Sequence, residues 1–415
     1  MRLLMLAQFF PPDIGGEERH VFNLANTLAA RGHAVSVATQ RIAGTPAEEQ
    51  LSSGVSVYRF ETLAMRRPGL YSTDRPHHPP LPDPIATRDL RNIIRRTQPQ
   101  IVHAHNWAVN SLLPINRQAG IGGRFGVVLT LHDYSHVCAT KRMMRDGAVC
   151  VGPGTWCFPC ATAHYGAAIG SATVVANAAV RPWKRSVIDE IVCVSSAVAV
   201  GNKLAEKPGV SIIPNFIPDS MVAHSDDFLG VPSPEAHVAD LPPGDFVLFV
   251  GDLSGEKGVH ALLQAYRKLG NERVPLVLIG RRVADTPTDL PPDVIMHEAW
   301  PHERVLEAFR RCTLAVLPSI WPDPCPTTVL EAMANHCAVI TTSIGGMVDM
   351  VTDGECGLLV APGDVSALAG AMARLLKDEG LRDRLADGGK KRIAEFTATS
   401  VAERLETVYA RAASK

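Results

Sequence analysis

The chain has 415 residues, 46% of them hydrophobic, which is material for two or more buried cores rather than one. Its 41 Lys and Arg stand against 42 Asp and Glu, so no basic excess points to a nucleic-acid partner. The nine cysteines are odd in number and five stand singly (Cys193, Cys312, Cys325, Cys337, Cys356), which argues against a secreted disulfide scaffold.

In chain order, MRLLMLAQFFPPD carries one early Arg and a short apolar run without a small-residue cleavage site, so it reads as a first buried strand and not as a leader. No apolar run reaches the ~18 residues of a spanning helix, and the expected location is cytoplasmic. Apolar runs follow at 34–39, 55–60, 101–105, 126–132, 191–195 and 210–214. Helical spacing lies between them. In ERHVFNLANTLAARG, Val21, Leu24, Ala25 and Leu28 share a face, and Gly32 stands where a helix ends. Such alternation predicts an α/β fold with a parallel sheet covered on both faces.

The proline-rich segment 219–245 breaks the rhythm and reads as a linker. Strand-like runs restart at 246–251, 275–280, 293–299, 314–319 and 338–343. The expected organisation is an N-terminal Rossmann-like acceptor-side domain over 1–218, the linker, and a C-terminal Rossmann-like domain over 246–395. A last helix over 396–415 carries Val401, Leu405 and Val408 at helical spacing; either domain can receive it, and packing back on the first is one of the two readings. Two such domains would face a central cleft at the carboxyl ends of their strands.

In WPDPCPTTVLEAMA, Asp323 and Glu331 bracket Pro326, Thr327 and Thr328 at a predicted helix start. Free backbone N–H groups there suit a phosphate, and carboxylates accept hydrogen bonds from paired sugar hydroxyls. The bland alternative is that both acids complement the helix dipole. Gly345-Gly346, after the next strand, offers close backbone approach.

The run PSIWPDPCPTTVLEAMANHCAVITTSIGGMVDMVTDGECGLLVAPGD resembles the nucleotide-binding region of glycosyltransferase family 4 (GT4), retaining enzymes of the GT-B fold. The resemblance extends through FFPPDIGGEERHVFNLANTLAARGHAVSVAT, IVHAHNW, VLTLHD, IVCVSSAVA, IIPNFIP and FVGDLSGEKGV. It implies that Glu331 holds the ribose of a UDP- or GDP-sugar, and that Asp323, where Glu is usual, meets the transferred sugar. It also implies that amides near Thr327 and Thr328 meet the pyrophosphate. Lys257 is retained, but Asp252 stands where a basic residue is usual. A leaving pyrophosphate needs fixed cations, so Arg281 or Arg282, just after the strand PLVLIG, is expected to replace the missing one. Two solvated surface arginines are the alternative.

Gly15-Gly16 is expected to approach donor phosphate or acceptor, against a plain tight turn. The resemblance implies that His132 contacts the transferred sugar and belongs with Asp323 and Lys257 in the catalytic set. His105 is placed on the acceptor side, and His103 shares its face. In the retaining reading the leaving phosphate takes the acceptor proton, and no cofactor is required for transfer.

Cys138, Cys150, Cys157 and Cys160, spaced C-x11-C-x6-C-x2-C over 138–160, read as a structural zinc or iron–sulfur site, as reduced thiols, or as disulfides. A similar Cys-rich insertion marks a subset of the resembling family. Residues 149–180 carry no Lys, Arg, Asp or Glu, which suits a buried helix or a face for a lipid-linked acceptor. Arg66-Arg67 and Arg95-Arg96 would add attraction to anionic lipid in a peripheral membrane contact. The reading is a retaining glycosyltransferase moving a sugar to a glycan, lipid-linked or small-molecule acceptor in polysaccharide biosynthesis. The alternatives are a catalytically weak sugar-nucleotide-binding protein and a GT-B-like epimerase or phosphorylase.

Overall fold

The computed structural model describes residues 1–12, 15–66, 78–115, 124–222 and 240–415. Arg67 and most of the expected linker, residues 223–239, lie outside the described residues. The chain divides into two compact units, Met1–Pro214 with Val401–Lys415, and Asn215–Ser400.

The strands of the first unit are β1 (Arg2–Leu6), β2 (Ala34–Gln40), β3 (Glu48–Gln50), β4 (Ser56–Phe60), β5 (Ile101–His105), β6 (Gly126–Leu131), a small hairpin β7 (Met144–Arg145) with β8 (Ala148–Val149), β9 (Glu190–Cys193) and β10 (Val210–Ile212). Eight of them form one sheet in the order β10-β9-β6-β5-β1-β2-β4-β3, parallel except for the edge strand β3. Every residue of β5 and β6 is buried, as expected of strands covered on both faces. Helix Gly16–Ala30 turns Val21, Leu24, Ala25 and Leu28 to the core. Gly32, at φ 87°, makes the left-handed turn that ends it.

The second unit holds β11 (Val247–Val250), β12 (Leu276–Ile279), β13 (Val294–His297), β14 (Leu314–Leu317), β15 (Val339–Thr342) and β16 (Leu358–Val360). Their order, β13-β12-β11-β14-β15-β16, is all parallel and reverses between β11 and β14. Ligands of open α/β sheets bind outside the strand ends at such a reversal. The core packs Phe249, Leu262, Tyr266 and Leu278 with Met372 and Leu375 of helix Val365–Lys377.

Helix Ala398–Ala413 joins the first unit from Val401 onward. Its buried Tyr409 hydroxyl bonds His103 Nδ1 at 2.8 Å, and Glu406 pairs Arg31 Nε at 2.8 Å. No helix among the described residues is long and apolar enough to cross a membrane.

Candidate active site

In the second unit, the loop after β11 and the loop after β14 are stitched together. Ile320 N and Trp321 N both donate to Glu256 O, at 2.9 and 3.1 Å, and Ser319 Oγ donates to the same carbonyl at 3.1 Å. This brings Lys257 Nζ onto Asp323 Oδ2 as an ion pair, with the ammonium 5.1 Å from the Trp321 ring centroid. Gly345-Gly346 fixes the other side of the Asp323 loop. The Gly346 amide donates to Asp323 O at 2.7 Å, and a Cβ on Gly346 would collide with Pro324 O. The close backbone approach expected of this glycine pair is thus made to the acid-bearing loop.

Helix Thr327–Ala334 follows, with Pro326 as its N-cap in extended geometry. Lys257, Asp323, Thr328 and Gly251 line a hollow of about 240 Å³ at the β11/β14 reversal. A second hollow of about 460 Å³ shares Gly251 and Asp252 and adds Arg281, Glu298 and Trp300. Glu331 lies one turn into the helix, 4% exposed, and its Oε1 accepts from His302 Nε2 at 3.1 Å. His302 has no signal in the sequence because it starts a different helix, His302–Arg311.

Arg281 and Arg282 stand at the end of β12 as expected, but neither is an uncommitted cation. Arg281 pairs Asp252 at 2.9 Å and Arg282 pairs Glu298, all on the surface. The acid at position 252 is thus matched by the residue expected to compensate for it.

In the first unit, Gly15 is the extended N-cap of helix Gly16–Ala30, and Gly16 is exposed. His132 follows β6. Its amide donates to Asn106 Oδ1 at 2.8 Å and its Nε2 shares a 2.9 Å hydrogen bond with His105 Nδ1. His105 is fully buried, and its Nδ1 is occupied by His132. Burial, then the neighbouring His103, His132 and His20, push the His105 imidazole well below its ordinary pKa. His103 is core, held between Tyr409 and Thr130.

Sequence reasoning missed His20. Its ring lies 4.7 Å from that of His132, and His20, His105 and His132 offer ligand atoms within 4.8 Å of one another. It also missed Glu17, whose Oε2 accepts from Asn106 Nδ2 at 2.7 Å. Burial, reinforced by Glu18 and Asp133, raises the Glu17 carboxyl to about 8. Lys141, 4.3 Å from the Trp107 ring centroid, is pushed down by burial in turn.

All nine cysteines are free thiols. Cys138, Cys150, Cys157 and Cys160 converge on the β7–β8 hairpin, and the Cys160 thiol is raised by burial and then by the other three. Their sulfurs do not reach the spacing that the histidine trio reaches: among the described residues that trio is the one group placed to hold an ion. The helices Cys157–Tyr165 and Ala167–Val187 are only partly buried; Phe158, Ile169, Val175 and Trp183 are each at least 41% exposed. The uncharged stretch is therefore not a core helix.

The sequence pattern described as "Glycosyltransferase Family 4" matches residues 14–220, and "Glycosyl transferases group 1" matches residues 240–392. The chain is 27% identical to glycogen synthase of Mycobacterium tuberculosis, over 99% of this chain and 94% of that one. Its fold is similar to sucrose-phosphate synthase from Thermosynechococcus elongatus (TM-score 0.71, 18% identity, 99% of both chains). It is also similar to Anabaena HepE in complex with UDP-glucose (TM-score 0.62, 15% identity, 98% of both chains). Two family patterns, one over each parallel sheet, leave little of the chain unaccounted for: it belongs to glycosyltransferase family 4, with the GT-B fold, and transfers a sugar from a nucleotide-sugar donor.

Proposed function

We propose that the chain is a retaining glycosyltransferase whose transfer step needs no metal, and that the hollow at the β11/β14 reversal and its neighbour at the ends of β11 and β12 receive the donor. The observation that carries this reading is the Lys257–Asp323 pair beside the start of helix Thr327–Ala334, at the strand-order reversal. Helix amides near Thr327 and Thr328 and the Lys257 ammonium suit the pyrophosphate. Asp323 meets hydroxyls of the transferred sugar, and Glu331, oriented by His302, takes the ribose hydroxyls. Trp300, stacked on His297 with ring centroids 4.3 Å apart, gives the larger hollow an aromatic wall for the base. Arg281 is the candidate replacement cation, released when the phosphate competes for it; Arg282 is the second.

In the retaining reading the bond from the anomeric carbon to phosphate oxygen breaks on the face where the acceptor oxygen bonds. The acceptor proton passes to the leaving phosphate. His132 contacts the transferred sugar and His105 orients it. The acceptor is a glycan, a lipid-linked saccharide or a small molecule. The exposed apolar side chains of helix Ala167–Val187 support a peripheral membrane contact. A structural zinc or iron–sulfur group at the four thiols would need their side chains to close further; metal analysis of untagged protein tests it, and a metal-free, folded protein rejects it.

The test of function is a donor panel (UDP-, GDP- and ADP-sugars) with NMR of the product in the presence of EDTA. An anomeric configuration matching the donor, formed with EDTA present, is expected. Inversion, or dependence on added metal, overturns the reading. Binding without turnover on any acceptor favours a catalytically weak binding protein, to which Asp252 and Asp323 would be suited.

A further inference from the structure

The first unit holds a cavity of about 410 Å³ that shares no residue with the donor hollows. Its size lies in the roughly 300–1,000 Å³ range of small-molecule sites. It adjoins the His132–Asp133 turn, since Asn202, one of its lining residues, donates from Nδ2 to Asp133 O at 2.9 Å.

The charge of its lining is one-sided. Arg181, Lys184 and Arg185 come from the end of helix Ala167–Val187, and Lys203 and Lys207 from the loop leading into β10. The acid in the lining, Asp189, is already engaged: it pairs Arg124 at 2.9 Å and accepts from the Val127 amide at 2.8 Å. None of the five cations has a carboxylate partner among the described residues.

Lys184 is the decisive side chain. It is 2% exposed, and its ammonium makes no hydrogen bond among the described residues. Folding a lysine into such a place is unfavourable unless something compensates for the lost hydration. Burial pulls its ammonium down to about 7, with the Asp133 charge only partly opposing. His136, on the same cavity, is lowered to about 3 by burial and then by Lys184, Arg181 and Arg185. The cavity thus concentrates positive potential without a paired anion. An anion of charge two or more, with several acceptor oxygens, is the ligand that five such cations suit. Two guanidinium forks among them favour phosphate over a simple carboxylate.

We propose that this cavity binds a phosphate-bearing small molecule, with Lys184 as its buried contact and Arg181, Arg185, Lys203 and Lys207 supplying the surrounding charge. The phosphate can belong to a soluble phosphorylated compound or to a lipid headgroup. The inference does not rest on the donor assignment, because every residue in it lies in the first unit.

The test is titration calorimetry with inorganic pyrophosphate, and flotation with phosphatidylcholine vesicles with and without phosphatidic acid, at about 0.15 M salt. Lys184→Met is expected to weaken pyrophosphate binding by about tenfold or more, the loss of a charge-assisted hydrogen bond. It should leave the thermal midpoint unchanged or raised, because an unpaired buried charge is replaced by an apolar chain of similar shape. The double variant Lys203→Ala/Lys207→Ala changes two exposed residues and removes the bond from Lys203 Nζ to Val151 O at 3.3 Å; it should weaken binding several-fold, with its thermal midpoint as the control on folding. Pyrophosphate can also enter the donor hollow, so Lys257→Ala is run in parallel. If pyrophosphate binding depends on Lys184 but vesicle capture does not, the ligand is soluble; if capture also depends on Lys184, it is a lipid phosphate. If all binding is lost in Lys257→Ala and is indifferent to Lys184 and to the rim pair, the proposal is overturned.

Discussion

The Arg281 guanidinium grips the Asp252 carboxylate in a fork, Nη2 to Oδ2 at 2.9 Å and Nε to Oδ1 at 3.3 Å. Both side chains are open to solvent, 76% and 41% exposed. The pair therefore contributes only about 0–1 kcal/mol, and a competing phosphate can open it. Asp252→Ala should release a cation and tighten nucleoside diphosphate binding by roughly three- to tenfold. Arg281→Ala leaves Asp252 unmatched beside the phosphate hollow and should weaken binding by a similar factor. Calorimetry on both variants decides; no change in either removes the pair from donor contact.

Glu331 is nearly sealed from solvent, and its contact with His302 orients it. Glu331→Gln keeps the volume and removes the charge. Loss of a charge-assisted bond to ribose predicts a donor KM raised about ten- to a hundredfold. His302→Ala should raise it by only a few-fold, since the carboxylate remains. Unchanged donor KM in Glu331→Gln would reduce the residue to a complement of the helix dipole.

The last helix is anchored through Tyr409, whose hydroxyl meets His103 Nδ1 at 2.8 Å in a fully buried setting. Tyr409→Phe leaves that nitrogen without its partner, at a cost of about 1–3 kcal/mol. A lower thermal midpoint is expected, with faster proteolysis at the C-terminus. His103→Phe in the same background should recover little, because it also strands the buried Thr130 hydroxyl that meets His103 Nε2 at 2.7 Å.

Glu17 supplies a pH dependence with a definite sign. Its carboxyl titrates at about 8 in the folded chain against an ordinary 4.5, through burial first and then Glu18 and Asp133, with Lys141 opposing. Between those values the folded chain retains a proton that the unfolded chain has released. Stability from this group is therefore full below about pH 4.5, falls as pH rises toward 8, and then levels. Glu17→Gln cannot ionise and should flatten that slope. Thermal melts of both proteins from pH 5 to 8.5 check it; parallel curves mean that Glu17 ionises normally.

Much of the proposed donor region is legible along the chain because its signals are local. The period of apolar runs, the proline and threonines at a helix start, and the glycine pair each depend on a few neighbours in the chain. The strands of both sheets can be placed this way, apart from the short β3, β16 and the β7–β8 hairpin, which are too brief for a period to show. Asp323 and Glu331 stand out as the acids of interest through the same local pattern.

What the chain order hides is which distant side chains share a charge or a hydrogen bond. The 29-residue gap between Asp252 and Arg281 closes across adjacent parallel strands, so the arginine expected to replace a missing cation is also the ion-pair partner of Asp252. His20 joins His105 and His132 because a helix packs across two strand ends. Lys184 shares a cavity with Lys203 and Lys207 because a helix end and a loop meet at one sheet edge. Local sequence thus determined the sheet-and-helix architecture and the Asp323–Glu331 motif, since propensity and period act over a turn or a strand. Tertiary packing decided which charges are spent on partners and which are left for a ligand, since electrostatics depends on distance in space and on burial, neither of which is written along the chain.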